Sequence, residues 1–194
     1  MLLRRSRPDI EIRPLTPIAG LEHLKPEPVA VLRWLSESRV EHVLVGQLAR
    51  TIRSEHDETG PVAIAPAPYG RNLERLAKAL TAAHARLRSA PAGNENTAVK
   101  ITAEKLARPQ RWELRCGSHD LDIEGGAASL PSYEELIYEA GVFELEPGLK
   151  VQVASIEDVG RYAHLQRVDR EIRVTRLQTT PTGAGALTGG DEQP

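Results

Sequence analysis

Two groups of acidic residues have the residue types that could hold a divalent cation. Asp122 stands in a short apolar strand pattern with Asp120 just before it, and Glu55-His56-Asp57-Glu58 forms a compact charged run. Carboxylates and imidazoles are ordinary metal ligands, so either group could serve metal-dependent chemistry. The competing interpretation is that both are solvated charges, as acidic residues on strands and in loops usually are.

A glycine turn after an apolar strand is the second candidate for chemistry. The apolar run 42–45 ends at Gly46, and the apolar spacing of the residues that follow predicts a short helix. Backbone N–H groups at a helix start can bind phosphate. Gln47, the next residue, keeps that capacity because the donors belong to the backbone, so nucleotide binding at Gly46 and Gln47 stays open.

The third candidate is a cluster of arginines late in the chain. Five cations stand against two nearby acidic residues, Asp169 and Glu171. The cations are Arg161, Arg167, Arg170, Arg173 and Arg176. Such a cluster could bind an anion, nucleic acid or an acidic protein face, with Arg167, Arg170 and Arg173 as the expected anion contacts. The alternative is a solvated face in a chain that uses arginine heavily.

Composition excludes several classes of protein. Lys+Arg is 25 and Asp+Glu is 27, so the net charge of -2 excludes a globally basic nucleic-acid binder. Seven aromatic rings (2 Trp, 4 Tyr, 1 Phe) are too few for stacking along single strands. The single cysteine, Cys116, excludes a disulfide framework and is predicted to be a half-buried strand residue. No apolar run nears the ~18 residues of a membrane span, so we expect a cytoplasmic protein with no membrane partner.

The chain divides into three parts. We expect a flexible N-terminal extension over 1–25, one α/β domain over 26–177 and a flexible Gly- and Pro-rich tail over 178–194. The predicted elements of the domain are a helix at 26–38, a strand at 42–45, a short helix, a strand at 62–65, a helix at 72–87, a strand at 98–102, a hairpin of 112–116 with 121–123, a helix opening at 131–136, a hairpin of 142–145 with 149–153 and a helix capped by Ser155.

Some side chains in these elements also have predicted roles. The alternation over 9–13 could add an edge strand to the sheet. His42 and His84 are predicted to be structural residues of a strand and of a helix, and Tyr133 and Tyr138 are predicted to pack rather than to form a stacking platform.

The order of these elements resembles the nucleotidyltransferase superfamily, the DNA polymerase beta-like palm, and its small bacterial members in particular. In that family a strand ending in Val-Gly-Gly precedes a short helix, and the next strand carries Thr-Arg-Asp-Val-Asp-Ile. Here residues 43–49 fall on the glycine turn, and Thr59-Gly60-Pro61-Val62-Ala63-Ile64 falls on the aspartate strand without a gap.

Three later segments extend the resemblance over about residues 28–170. They are Asn72-Leu73-Glu74-Arg75-Leu76, Asp120-Leu121-Asp122-Ile123 and Val153-Ala154-Ser155-Ile156-Glu157-Asp158. The resemblance implies a nucleotidyltransferase-like mixed sheet flanked by helices, with Asp122 at the third carboxylate position. In active members the glycine turn approaches a nucleoside triphosphate, and the aspartates hold divalent metals.

The departures from the family pattern concern the residues that catalysis needs. Gln47 replaces the second glycine, and Pro61 and Ala63 replace the two metal-binding aspartates. The lysine usual after the start of the late helix is also absent, since Ala163 and His164 stand there. One carboxylate of three remains, so the resemblance implies a degenerate member without phosphoryl transfer.

The expected function is therefore a catalytically inactive nucleotidyltransferase-fold protein that acts as a binding or regulatory module. A protein is the expected partner, a nucleotide is a second candidate ligand, and no cofactor is expected. One alternative is an active, divergent transferase that uses Mg²⁺ with a nucleoside triphosphate through Asp122, Asp120 and the acidic run 55–58. The other is a nucleic-acid-associated module that acts through the C-terminal arginines.

Overall fold

The computed structural model describes residues 10–16, 18–54, 60–88, 100–125 and 131–162. They form an α/β fold built on one seven-stranded mixed sheet with flanking helices. The helices are α1 (Pro26–Glu37), α2 (Gly46–Ser54), α3 (Gly70–Ala82), α4 (Ala103–Leu106) and α5 (Tyr133–Glu139), and residues 156–162 are helical as well. The strands are β1 (His42–Val45), β2 (Val62–Pro66), β3 (Arg86–Leu87), β4 (Arg111–Cys116), β5 (His119–Glu124), β6 (Gly141–Glu146) and β7 (Leu149–Val153).

The sheet has the order β3-β4-β5-β2-β1-β7-β6. Two pairings are parallel, β1 with β7 and β2 with β5, and the other four are antiparallel. The predicted mixed α/β sheet is therefore confirmed. The predicted tail 178–194 and the first nine residues lie outside the described residues.

The two faces of the sheet differ because side chains alternate along each strand. One face carries a row of buried apolar side chains across adjacent strands, through Leu44, Ile64, Ile123 and Leu114. The opposite face of β4 and β5 carries only charged residues. Burial of the apolar row against the helices drives assembly, and it leaves the charged residues of β4 and β5 together on the other face.

Several helix boundaries follow from local chemistry. Two prolines stand in the first turn of α1, where a missing N–H costs nothing. Ser132 and Glu135 form a reciprocal capping box at the start of α5. Ser155 Oγ accepts from the backbone N–H of Asp158 at 3.1 Å, as its predicted cap role requires.

The predicted helix 72–87 is wrong at its C-terminal end. The helix α3 ends at Ala82, and His84 has φ of 50°, a left-handed conformation that stops a helix. The next residues turn back as β3, which includes Leu87 and pairs with β4. Leu87 continues the apolar periodicity of α3, and that periodicity misled the prediction. His84 is consequently exposed and not a helix residue.

The predicted strand 98–102 is also wrong over its described part. Residues 100–102 are not in the sheet, and Thr102 instead caps the short helix α4. The suggested edge strand at 9–13 is not formed by the described residues 10–13. Ile10 is buried there, and its carbonyl oxygen lies 3.3 Å from Nε2 of His119.

The two tyrosines of α5 behave differently. Tyr133 is partly buried and makes an edge-to-face contact with Tyr69, with ring centroids 6.3 Å apart. Tyr138 is 89% exposed, so its predicted packing role is wrong. Cys116, predicted to be half-buried, is fully buried. No helix among the described residues is long and apolar enough to cross a bilayer.

Candidate functional site

The turn at Gly46 lies directly beside β2. Val45 pairs with Ala63, so the residue after β1 sits next to the second of the two degenerate metal positions. Gly46 has φ of +70°, and a Cβ built on it would lie 2.9 Å from the Cβ of Ala63. Glycine is needed for both the backbone conformation and the close approach. The prediction that this turn and the strand 62–65 form side by side is confirmed.

Asp122 lies on the other side of β2. In the parallel pairing of β2 with β5, Ala63 is the register partner of Asp122. Register partners project to the same face, so Ala63 and Asp122 share a face of the sheet. The Gly46 turn, Ala63 and Asp122 therefore form one row, in which Ala63 on β2 lies between the end of β1 and Asp122 on β5.

The carboxylate of Asp122 is buried and doubly ion-paired. Its side chain is 1% exposed, Arg88 Nη2 donates to Oδ1 at 2.7 Å, and Arg111 Nη2 donates to Oδ2 at 2.7 Å. Each carboxylate oxygen thus has its own charge-assisted hydrogen bond. The interpretation of Asp122 as a solvated strand carboxylate is wrong, because burial and two guanidinium groups replace the solvent.

The strand register explains why these two arginines reach Asp122. Arg111 opposes Glu124 across the β4–β5 pair, one alternation along the same face as Asp122. Arg88 follows β3, and its backbone N–H donates to the carbonyl of Glu113, the residue that opposes Asp122 on β4. Neither arginine was among the site residues predicted from the sequence. The available signal was the alternation of charges in β4 and β5, which predicts ion pairs across the hairpin.

Asp120 is engaged in the same way nearer to solvent. Arg115, its register partner, donates from Nε to Oδ1 at 2.8 Å, and Arg88 Nη1 lies 3.5 Å from Oδ2. The Asp120 side chain is 32% exposed. Both aspartates proposed as alternative metal ligands are therefore held by arginines.

The side chain of Gln47 turns back over the chain that leads into β2. A Cβ built on Gly60 would overlap Oε1 of Gln47, so the amide of Gln47 occupies the space beside Gly60. The residue that replaces the second glycine of the turn therefore packs against the segment just before Pro61. A larger residue at position 60 would displace it.

The residues of this site do not fit a divalent metal. Pro61 and Ala63 offer no side-chain oxygen, and both oxygens of Asp122 already accept from cations. Mg²⁺ needs several hard oxygen ligands, and here it would also lie beside two guanidinium groups. Across the described part of the chain, no three His, Cys, Asp or Glu side chains converge to hold a metal ion.

A cavity lies farther along the same face, where β2 and β5 end. Its volume is about 150 Å³, and Ala65, Glu124, Tyr133 and Tyr162 are among its lining residues. Small-molecule sites usually enclose at least ~300 Å³, so this cavity is too small for a nucleotide. Burial raises the pKa of the Tyr162 phenol, and Glu124 and Asp158 nearby raise it further.

The other predicted site residues are not part of this row. The acidic run 55–58 and Arg167, Arg170 and Arg173 lie outside the described residues. Arg161, the described member of the arginine cluster, is exposed and lies 3.9 Å from a carboxylate oxygen of Asp158.

No protein-family model matches the chain, and no curated protein sequence matches it.

Proposed function

We propose that this chain is a catalytically inactive nucleotidyltransferase-fold protein that works as a binding or regulatory module. The observation that carries the proposal is the environment of Asp122. Its buried carboxylate is shared between Arg88 and Arg111, at the position where the family resemblance expects a metal ligand. Two guanidinium groups supply the positive charge that a metal would otherwise supply to this carboxylate.

The strand arrangement supports the family assignment within this proposal. The glycine turn joins β1 to α2, the next strand is antiparallel to β1, and β5 brings Asp122 opposite Ala63. In the family, a third metal-binding carboxylate comes from a strand next to the strand of the two aspartates. Here β5 is next to β2, and Asp122 on β5 is the register partner of Ala63. Without the carboxylates of positions 61 and 63, the same frame lacks the ligands of two-metal phosphoryl transfer.

The alternative is an active, divergent transferase that uses Asp122 with other acidic residues. Its chemistry requires Asp122 to release at least one arginine and bind a cation in its place. Nucleotide binding without turnover is a separate variant of our proposal, and it would use the backbone N–H groups that follow Gly46.

The deciding experiment measures nucleotide transfer and hydrolysis by the full chain with Mg²⁺ or Mn²⁺ and each nucleoside triphosphate. We expect neither reaction, and calorimetry should show no gain of triphosphate affinity on adding Mg²⁺. The matched variant is Asp122→Asn, which keeps the shape of the side chain. Metal-dependent transfer by the wild type that is lost in Asp122→Asn would overturn the proposal in favour of the active alternative.

A further inference from the structure

The cavity that continues the face of Ala63 and Asp122 lies at the carboxyl ends of two parallel strands. The strand β2 ends at Pro66 and the strand β5 ends at Glu124, and both of these residues line the cavity. In open α/β sheets, ligands bind in the crevice outside the carboxyl ends of the strands. The topology therefore favours a ligand at this end of β2 and β5.

The cavity has the size of a small organic molecule. Its volume is about 150 Å³, and an engineered protein cavity of about that volume binds benzene. Ala65, whose side chain is short, leaves this space open on the face of the sheet. Three prolines and two leucines supply apolar walls, and they are Pro66, Pro68, Pro131, Leu73 and Leu106. Because proline has a fixed φ, much of the wall is formed before any ligand binds.

Two buried polar side chains line this apolar space. The Glu124 side chain is 2% exposed and Tyr162 is 1% exposed. Among the described residues, none forms a hydrogen bond with the phenol of Tyr162, whose pKa is raised by burial and by the charges of Glu124 and Asp158. A buried hydroxyl without a partner costs free energy. A polar group bound in the cavity would supply that partner.

The charged side chains that line the cavity are both carboxylates. Glu124 is buried and Glu134 is exposed, and no lysine or arginine is among the described residues that line the cavity. Arg111, on β4, places Nε 3.3 Å from Oε1 of Glu124, but the same guanidinium also binds Asp122 at 2.7 Å. A carboxylate has about four lone-pair sites, so Glu124 can accept from a ligand while it stays paired with Arg111.

An alkylammonium group matches these acceptors. It has three N–H donors and one positive charge at the end of an apolar stem. One donor can bind the Glu124 carboxylate and another can bind Oη of Tyr162, while the stem lies against the prolines. A guanidinium group has five donors in one plane, which is more than the two buried acceptors can satisfy. An anion would be repelled by the buried carboxylate.

We propose that this cavity binds a primary ammonium group on a short alkyl stem, with Glu124 and Tyr162 as its hydrogen-bond acceptors. A free alkylamine and the side chain of a lysine from another protein share this chemistry. The inference goes beyond the proposed binding role of the chain, and it does not depend on the loss of the metal site at Asp122.

The test titrates the full chain with n-butylammonium chloride at constant ionic strength and follows the backbone amides by NMR. n-Butylammonium reproduces the lysine side chain, and 1-butanol is its neutral counterpart of the same length. We expect saturable binding that shifts the amides of Ala65, Glu124 and Tyr162, with at least about tenfold lower affinity for 1-butanol. Equal affinities would overturn the assignment of a cation, and absence of saturable n-butylammonium binding would overturn the proposal as a whole.

The protein variants locate the binding site. Tyr162→Phe removes an oxygen that has no hydrogen bond to lose, so we expect the fold to persist and n-butylammonium to bind about tenfold more weakly. Tyr138→Phe is the matched control, because it removes the same atom from a side chain that is 89% exposed, and it should bind like the wild type. Equal binding by the wild type and Tyr162→Phe would overturn the assignment of this cavity.

A second variant tests the space and not the polar groups. Ala65→Val narrows the cavity with a residue that strands favour, and we expect it to weaken n-butylammonium binding about tenfold as well. The amide spectrum of each variant shows whether its fold is intact. Undiminished binding by a folded Ala65→Val would place the ligand elsewhere and overturn the proposal.

A third probe, Nα-acetyl-lysine methylamide, distinguishes the two sources of the ammonium group. Tighter binding than that of n-butylammonium would support the proposal with a lysine of a partner protein as the ligand. Weaker binding, with n-butylammonium still bound, would support it with a free alkylamine as the ligand. Metal-dependent nucleotide transfer by the wild type would overturn the proposed inactivity, yet it would leave the result at this cavity unchanged.

Discussion

Arg111 holds Asp122 through a 2.7 Å bond from Nη2 to Oδ2 on the polar face of the sheet. The partner of Asp122 on β2 is Ala63, whose methyl group offers nothing to a cation. The carboxylate is thus satisfied within the protein. The ion pairs of Asp122 with Arg88 and Arg111 therefore stabilise the fold. Loss of either arginine should lower the free energy of unfolding.

We predict that Arg111→Met destabilises the protein by about 2–3 kcal/mol. Loss of one partner of a buried ion pair costs ~3–5 kcal/mol, and Arg88 remains to compensate in part. Arg115→Met is the matched control, because the Arg115 side chain is 54% exposed and its pair with Asp120 contributes under ~1 kcal/mol. Urea unfolding measures both values, and equal losses would contradict the role assigned to Arg111.

We predict that Pro61→Asp with Ala63→Asp creates weak Mn²⁺ binding that a further Arg111→Met strengthens. The two new carboxylates would lie beside Asp122, and removal of one guanidinium would free an oxygen and lower the local positive charge. Titration followed by Mn²⁺ paramagnetic resonance gives the affinity. The same variant carrying Asp122→Asn should bind more weakly, and no difference between them would exclude Asp122 as a ligand.

We predict that Gly46→Ala costs about 2–4 kcal/mol and Gly148→Ala about 1 kcal/mol. Both glycines have positive φ, a conformation that an alanine adopts at a cost of ~1–2 kcal/mol. A Cβ at Gly46 also meets the Cβ of Ala63 at 2.9 Å, whereas no atom of the described residues lies within 4 Å of a Cβ at Gly148. The difference between the two unfolding free energies isolates the close approach. Equal losses of unfolding free energy in the two variants would mean that the backbone at position 46 shifts away from Ala63 without cost.

We predict that His42 makes the protein less stable in mild acid. Burial lowers the pKa of its imidazole from the ordinary 6.5, and Nδ1 lies 2.9 Å from the Val40 carbonyl oxygen. Nε2 is buried and has no hydrogen-bond partner among the residues that the structure describes. The unfolded chain therefore binds a proton below about pH 6.5. The folded chain does not, until the pH falls to its own lower pKa.

The stability contributed by neutral His42 is thus present above pH 6.5 and is lost as the pH falls below it, by up to ~1.4 kcal/mol per pH unit. His42→Leu should flatten this part of the pH profile of the unfolding free energy. His84→Asn is the control for loss of a histidine, because it removes an exposed imidazole at a left-handed backbone position that asparagine tolerates. An unchanged profile in His42→Leu would assign the acid sensitivity to other groups.

We predict that Cys116 reacts with thiol reagents only when the protein unfolds. Burial raises the pKa of its thiol to about 12, and the charge of Asp120 contributes in the same direction. The thiolate is the reactive form, so the native protein at pH 8 has almost none. Labelling followed by mass spectrometry should proceed at the rate of unfolding and accelerate in Arg111→Met. Fast labelling of the native wild type would contradict the packing around Cys116.

Local patterns predicted the frame of the site, because its parts are adjacent in sequence. The strand β1, the turn at Gly46, the helix α2 and the strand β2 follow one another directly along the chain. Each could therefore be predicted from the residues in its own segment. The ion pairs of Asp122 could not be predicted in this way. Arg88 is separated from Asp122 by α4 and β4, and only the strand register brings the two together.

The two wrong predictions at Leu87 and Tyr138 have different causes. Leu87 has the spacing of an α3 residue, but the left-handed backbone at His84 sends it into β3. That outcome is not encoded in the apolar pattern, because it depends on where the chain goes next. Tyr138 has the type of a packing residue, but it lies two residues after the buried Leu136 and therefore on the opposite side of α5, where it is exposed.

The parallel pairing of β1 with β7 has a consequence for synthesis of the chain. Val43 pairs with Gln152, and more than half of the chain lies between them. During translation β1 and β2 can pair early, but one side of β1 stays unpaired until residue 153 has left the ribosome. Such long-range parallel pairing forms slowly and leaves an apolar edge exposed to association. A nascent chain stalled before β7 should therefore be a target for chaperones, whereas the completed chain closes that edge itself.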